Sequence, residues 1–388
     1  MNMMQDLGAL APIWVTAIAA GVVLMLTVAS GYRRPAPEGG GHLAFVALAG
    51  LTVATFLLWR HEGTYRAFSG AVVVDGISLA FGVVATVGAL LSVVLSTSYL
   101  KEHRLGHGEF YALILLGTVG MLVLSMAGDL LVLFVGIEIM SLAVYIMAGY
   151  RRSARRTQEA ALKYFVYGAF ASAFVLFGIA QLYGEVGRLT GTPAFDFVSI
   201  SRAFRHVDIS PLGWIGIGLV LAGLAFKVAA VPFHMWAPDV YEGAPTPSTG
   251  FMAVGIKAAA FAGLCRFVAA TLLHGERGTE TSVQLLEVLA ILTMVVGNFL
   301  AIRQTQIKRM LAYSSIAHAG YILVGVAAFV AQPSSRAMEA IAYYLFGYTA
   351  MTLGAFGVVL AFERHDDKRI DLSIERFAGA AHRYPALG

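Results

Sequence analysis

The stretch that settles the fold runs from Lys227 to Phe261: KVAAVPFHMWAPDVYEGAPTPSTGFMAVGIKAAAF. It begins on one lysine and nearly ends on another. Lys227 lies in GLVLAGLAFKVAAVPFHMW (218–236) and Lys257 in GFMAVGIKAAAFAGLC (250–265), both apolar runs of the kind that cross a bilayer. A charge at the centre of a spanning helix costs at least about 2.5–3.5 kcal/mol on insertion scales, so such residues are rare and functional by default. Pro232 follows Lys227 by five residues, and Pro238, Pro245 and Pro247 crowd the segment after it. Proline removes a backbone donor and interrupts the helix ladder. Broken helices at membrane depth occur where the freed backbone lines a cavity or site. Two readings stay open here: a helix broken beside Lys227, or one that simply ends at Pro232.

Moving outward, Glu138 interrupts LFVGIEIMSLAVYIMAGY (133–150). It stands nine residues past Asp129, or about 13 Å of helix, too deep for easy snorkelling to the headgroups. His318 sits about ten residues into RMLAYSSIAHAGYILVG (309–325), flanked by Ser314, Ser315 and Tyr321. Burial disfavours the charged form of a carboxylate or an ammonium, and a nearby opposite charge reverses that bias. A glutamate and a lysine at matching depth therefore form a pair whose proton affinity switches when one partner moves. Arginine cannot serve this way because it keeps its proton. Arg266, on the Lys257 span, reads as a pair partner or an outer-end anchor. His318 can relay a proton at either ring nitrogen; the plainer reading is a histidine bonded to a neighbouring helix. For Glu138, Lys227 and Lys257 the plainer reading is isolated structural pairing. Asp75, Asp129, Glu287 and Glu339 lie near span ends and are expected to face headgroups or water. Lys163 is expected at the interface.

Composition fixes the solvent. The chain has 388 residues, of which 58% are hydrophobic and only 13% charged. A soluble domain carries about 25% charged residues. A cytoplasmic globular enzyme, a disordered chain and a nucleic-acid-binding domain are all poor fits. The single cysteine, Cys265, excludes a disulfide framework or a Cys-ligated cluster. It lies in an apolar run, where it reads as a small packing residue.

The fold class expected is an all-α polytopic membrane protein with about eleven transmembrane helices, at roughly 8–30, 42–59, 74–99, 109–127, 130–149, 160–184, 212–236, 248–272, 284–302, 309–331 and 336–362. The first run is too long for a signal-peptide core and reads as a retained span. Only 185–211 is a long connection, with room for a short hairpin or surface helix. One set of loops holds sixteen basic residues: Arg33, Arg34, Lys101, Arg104, Arg151, Arg152, Arg155, Arg156, Arg303, Lys308, Arg309, Arg364, Lys368, Arg369, Arg376 and Arg383. The opposite set holds seven: Arg60, Arg66, Arg188, Arg202, Arg205, Arg277 and Arg336. The positive-inside rule puts the first set in the cytoplasm and the N-terminus outside.

The Lys227–Phe261 stretch closely resembles the signature of the antiporter-like membrane subunits of respiratory complex I. With ALKYFVYGAFASAFVLFGIAQLYG (161–184) and QTQIKRMLAYSSIAHAGY (304–321), the chain is most similar to the subunit N family of bacterial NADH-quinone oxidoreductases. The resemblance implies a proton-translocating subunit without a redox centre of its own. Flavin, iron–sulfur clusters and the quinone site would lie on other subunits, and sister antiporter-like subunits would be its partners in the membrane arm. It implies antiporter-like inverted repeats, each with a broken helix; the first broken helix is the seventh span. The divisions expected are an N-terminal three-helix segment (1–108), a first five-helix repeat (109–272), and an incomplete second repeat with a cytoplasmic amphipathic tail (273–388). Residue by residue, Glu138 matches the family's acidic residue of the fifth span, Lys227 the lysine of the first broken helix, and Lys257 the connecting lysine of the eighth span. His318 falls on a polar position of the central axis. The tail FERHDDKRIDLSIERFAGAAHRYPALG (362–388) resembles the link that precedes the family's twelfth span, so the chain is expected to be shortened and to lack the second half-channel's lysine. A Mrp-type cation/proton antiporter subunit shares these motifs and is the alternative; a passive membrane anchor is a third.

Overall fold

The computed structural model describes residues 3–30, 40–105, 108–205, 208–273, 276–364 and 372–385. Arg33, Arg34, Lys368 and Arg369 lie outside the described residues, as do the side chains of Arg277 and Arg364. The fold is helical. After a short α1 (Met3–Ala9) come α2 (Ala11–Ala29), α3 (Gly41–Arg60), a two-stranded hairpin of β1 (Tyr65–Ala67) and β2 (Val72–Val74), and α4 (Gly76–Glu102). Then follow α5 (Glu109–Ser125), α6 (Leu130–Ala148), α7 (Arg155–Thr190), α8 (Phe197–Phe204), α9 (Pro211–Val228) and α10 (Trp236–Gly243). The last group is α11 (Thr246–Phe251), α12 (Lys257–Thr271), α13 (Glu276–Ile302), α14 (Ile307–Ala331) and α15 (Ser335–Arg364). A π-helical turn, Met252–Ile256, joins α11 to α12 without a break.

Ten of these helices, counting Thr246–Thr271 as one, are long and apolar enough to cross a membrane. The helix at the fourth expected position, α5, has 17 residues. Of the short hairpin or surface helix expected between Glu185 and Pro211, the structure has a helix, α8, and α7 itself runs on to Thr190. The helix starts are set by side-chain caps. Asp75 caps α4, Asp129 caps α6, Asp196 caps α8 and Ser210 caps α9, each accepting from a first-turn backbone N–H.

The span expected at 212–236 is shorter and its ending is local. Its helix stops at Val228, one residue past Lys227 and four before Pro232. Ala229 caps it in the left-handed region, at φ 59°. Turns then carry the chain to α10. The break thus lies immediately beside Lys227, because the backbone has already left the helix before the proline is reached.

The middle of the bundle is the unbroken run from Ala244 to Val268, in which every residue is buried. Around it α4, α5, α6, α9, α14 and α15 pack, while α7 and α13 turn one apolar face outward. Close approach is made by small residues. A Cβ placed on Gly120 of α5 would lie 2.3 Å from the Met140 nitrogen, and one on Gly136 of α6 2.6 Å from the Leu124 nitrogen. Backbones that near can be built only from glycine, the small-residue packing used between membrane helices.

The basic loops separate by end. Arg151, Arg155, Arg156 and Lys308 line one cavity of about 300 Å³. Arg66, Arg202 and Arg205 line another, at the opposite ends of α4 and of the Thr246–Thr271 run.

Candidate functional site

Lys227 is 3% exposed and sits on the last turn of α9. Its ammonium donates to the Ser141 hydroxyl at 2.7 Å and the Tyr145 hydroxyl at 3.2 Å, both on α6. The rings of Tyr145, Phe226 and Tyr164 lie 5.4–6.0 Å from it, within cation–π range. Ser141 is three residues after Glu138, so Lys227 is held one helical turn from the carboxylate. Glu138 is half-buried and accepts from the Ser172 hydroxyl of α7. No ion pair joins Glu138 to Lys227. The sequence put the two at matching depth in separate spans; the structure holds them apart, each on its own serine.

Lys257 is 2% exposed and opens α12 where the π-turn ends. π-turns inside helices concentrate at functional sites because they shift the side-chain register. Its ammonium donates to the Ser315 carbonyl and, at 2.6 Å, to the Ser315 hydroxyl on α14. Tyr348 of α15 donates to the same hydroxyl at 2.7 Å, and its ring lies 5.5 Å from the ammonium. His318 is one turn along α14 from Ser315. Its Nδ1 is 2.5 Å from the Tyr344 hydroxyl, and its ring lies 5.0 Å from that of Tyr348. The structure therefore brings Lys257 and His318 together through Ser315, Tyr348 and Tyr344.

A buried aromatic chain leads away from Lys227 towards the run that carries Lys257. Tyr164, beside Lys227, stacks on Trp236 at 4.4 Å, and Trp236 meets Tyr241 edge-on at 6.1 Å. The Tyr241 carbonyl in turn accepts from the Thr249 hydroxyl, on the same buried run that carries Lys257. The Tyr164 hydroxyl and the His234 Nδ1 are buried without a protein partner. Both lie at the α9 break.

The remaining charges mostly form structural ties. Arg266 is a pair partner: it binds the Asp75 carboxylate with both terminal nitrogens, at 2.7 and 3.1 Å. Asp75 was expected to face headgroups or water; the cap it makes on α4 turns it inward to that arginine instead. Asp129 is likewise a cap, while Glu287 and Glu339 are exposed. Lys163 bridges Glu159 and Asp239 at 2.7 and 2.8 Å. Lys308, read from sequence as a loop charge, is 4% exposed and donates to the Ala244 carbonyl at 2.5 Å. Cys265 is fully buried. The residues missed from sequence are hydroxyls, Ser141, Tyr145, Ser172, Tyr344 and Tyr348; Ser315 was seen only as a neighbour of His318. Their signal was available as helical spacing. Ser141 is at +3 and Tyr145 at +7 from Glu138, Ser315 is at −3 from His318, and Tyr344 and Tyr348 are four apart.

A helical membrane bundle with a broken helix beside one buried lysine, and a second lysine on the next long span, defines the class of antiporter-like proton-translocating subunits. Residues 127–385 match the family model described as NADH:quinone oxidoreductase/Mrp antiporter, TM. The NADH-quinone oxidoreductase subunit N 1 of Sorangium cellulosum is 42% identical over 94% of this chain and 74% of its own length. A chain of respiratory complex I from Thermus thermophilus superposes with a TM-score of 0.74 and 33% identity, covering 97% of this chain and 75% of that one. A chain of the Mrp complex from Dietzia sp. shares the fold, with a TM-score of 0.75 at 22% identity over 94% of this chain and 65% of that one. The chain belongs to this antiporter family and, within it, to the subunit N family of NADH-quinone oxidoreductases, the proton-translocating, multi-pass membrane subunits of complex I.

Proposed function

We propose that Glu138, Lys227, Lys257 and His318 carry protons along the middle of the membrane, in a complex that couples quinone reduction to proton transfer. The observation that supports this most is the setting of the two lysines. Each is buried at membrane depth, Lys227 bonded to two hydroxyls and Lys257 to a hydroxyl and a carbonyl, with no carboxylate in ion-pair range among the described residues. Arg266, by contrast, is a buried cation held against a fixed counter-charge, Asp75. Lysine can give up its proton and hydroxyls can pass one on.

In this reading Glu138 sets the charge state of Lys227. Swinging Lys227 one helical turn, from Ser141 to the carboxylate, stabilises its protonated form; swinging back releases the proton towards the aromatic chain and Lys257. Lys257 passes it to His318 through the Ser315 hydroxyl and the two tyrosines. Glu138 is only half-buried, and lipid would be a costly neighbour for the part left exposed. A neighbouring membrane-arm subunit against α6 and α7 removes that cost. The flavin, iron–sulfur and quinone chemistry belongs to other subunits. The loop charges orient the Arg151–Arg156 end to the cytoplasm and the N-terminus to the periplasm. Residues 109–272 form the first of two inverted repeats, and 273–388 belong to the second. The Mrp-type alternative rests on a likeness of 22% identity, which speaks to fold, whereas the subunit N relatives reach 42%.

The test is Glu138→Gln in the assembled complex. The shape is kept and the charge lost, so assembly survives while proton uptake into vesicles, and the quinone reductase rate coupled to it, fall by roughly tenfold or more, the size expected of a lost general acid–base group. Parental pumping in a fully assembled Glu138→Gln complex removes Glu138 from the path. Parental pumping in Lys227→Ala would remove the path itself and leave a passive anchor.

A further inference from the structure

The cavity at the end of the bundle away from Arg151–Arg156 has no part in the lysine path. Its volume is about 550 Å³. Four arginines line it, Arg66, Arg202, Arg205 and Arg266, against one carboxylate, Asp75. Asp75 is already committed to Arg266, which also donates from Nε to the Ser125 carbonyl at 2.7 Å. Arg66, Arg202 and Arg205 are exposed and make no ion pair among the described residues. They come from two separate elements, β1 and α8. Arg202 and Arg205 are three apart and share a face of α8. Three guanidiniums converging on one cavity repel one another unless an anion sits between them.

The rest of the wall says which anion. Ile77 opens the first turn of α4, Ala269 and Ala270 close the last turns of α12, and Phe197 and Val198 open α8; all five line the same cavity. The site is therefore cationic on its loop side and apolar on the side of the helix ends, which is the profile of the membrane–water boundary. A free inorganic anion has no use for the apolar half. We propose that this cavity binds the phosphodiester headgroup of a net-anionic phospholipid, with Arg66, Arg202 and Arg205 on the phosphate and the upper acyl chains against Phe197, Val198 and Ala270. Guanidinium groups suit the task because they bind phosphate oxygens in pairs.

The experiment is photolabelling of the membrane complex that contains the chain, reconstituted with trace phosphatidylglycerol bearing a photoreactive acyl chain, and peptide mapping of the adducts. Adducts are expected on the Phe197–Arg205 and Ala269–Thr271 peptides. The corresponding phosphatidylcholine probe should label them weakly, and inorganic phosphate at tens of millimolar (roughly the ionic strength at which exposed charges are only partly screened) should not compete. Arg202→Gln with Arg205→Gln should cut the labelling roughly tenfold or more, at about a factor of five per removed charge. Arg202→Lys with Arg205→Lys keeps the charge but loses the paired guanidinium contacts, so its labelling should fall between the parent and the glutamine variant; should the glutamine variant fail to assemble, the lysine variant and the choline probe still decide. Equal labelling by both probes, or unchanged labelling in the glutamine variant, overturns the proposal. Displacement by inorganic phosphate replaces the lipid with a free anion, and adducts absent because a partner subunit fills the cavity assign it to protein docking; either outcome also overturns it.

Discussion

The Ser315 hydroxyl holds two groups at once: the Lys257 ammonium and the Tyr348 hydroxyl. Hydrogen bonds to a charged partner are worth about 1.5–3 kcal/mol, and a buried group left unmatched costs a similar amount. Ser315→Ala should therefore leave the complex assembled but lower proton uptake by roughly tenfold, since about 1.4 kcal/mol is a factor of ten in rate. Ser315→Thr, which keeps the hydroxyl, should retain most of the uptake; a similar loss in both variants would show that packing rather than the hydroxyl matters. At this scale the sequence showed charges and missed hydroxyls. Glu138, Lys227 and Lys257 stood out because an ionisable group in an apolar run has no cheap explanation. Serine and tyrosine are common in spanning helices, so Ser141 and Ser315 acquire meaning only once a lysine from another helix is seen to reach them.

The α9 break and the short α10 after it are held by few groups. Ala229 takes a left-handed conformation that costs a residue with a Cβ about 1–2 kcal/mol. Ala229→Gly should raise the thermal midpoint of the solubilised complex slightly, or leave it unchanged, through about 0.5–1 kcal/mol of relief. Ala229→Val should lower it, and a rise with valine would show that the break is remodelled. On α10, Asp239 accepts from Lys163 of α7 at 2.8 Å and from Arg309 of α14 at 2.6 Å. Partial burial alone would raise its pKa, but the hydrogen bonds from Lys163 and Arg309 outweigh it and hold the carboxyl below its ordinary value. A lowered folded value stabilises above the unfolded pKa and is lost as pH falls through the folded one. Asp239→Asn should thus cost about 1 kcal/mol near neutral pH, given its part exposure, and the difference from the parent should shrink below about pH 3.9. A difference that persists or grows in acid would place the effect elsewhere. The broken helix was half legible: the prolines pointed to it, but the ladder ends at Val228 because of Ala229 and the turn beyond, which no proline marks.

Across the whole molecule, the span positions were legible because each needs its own apolar run, and helices occupy all eleven expected places. What sequence could not show was which span lies at the centre. The Thr246–Thr271 run is no more apolar than its neighbours, yet it is buried on all sides, and Lys257 is carried into the middle of the bundle by it. In the proposed path that placement makes Lys257 the residue that connects the two halves. Lys257→Arg keeps a positive charge of similar reach but one that never leaves. The decisive measurement is the initial rate of proton uptake into vesicles by fully assembled complex carrying Lys257→Arg, set beside Lys257→Ala and the parent. A lysine that must lose its proton predicts that the arginine variant fails about as badly as the alanine variant. Parental uptake with arginine would mean that Lys257 is only a structural cation and that the protons travel another way.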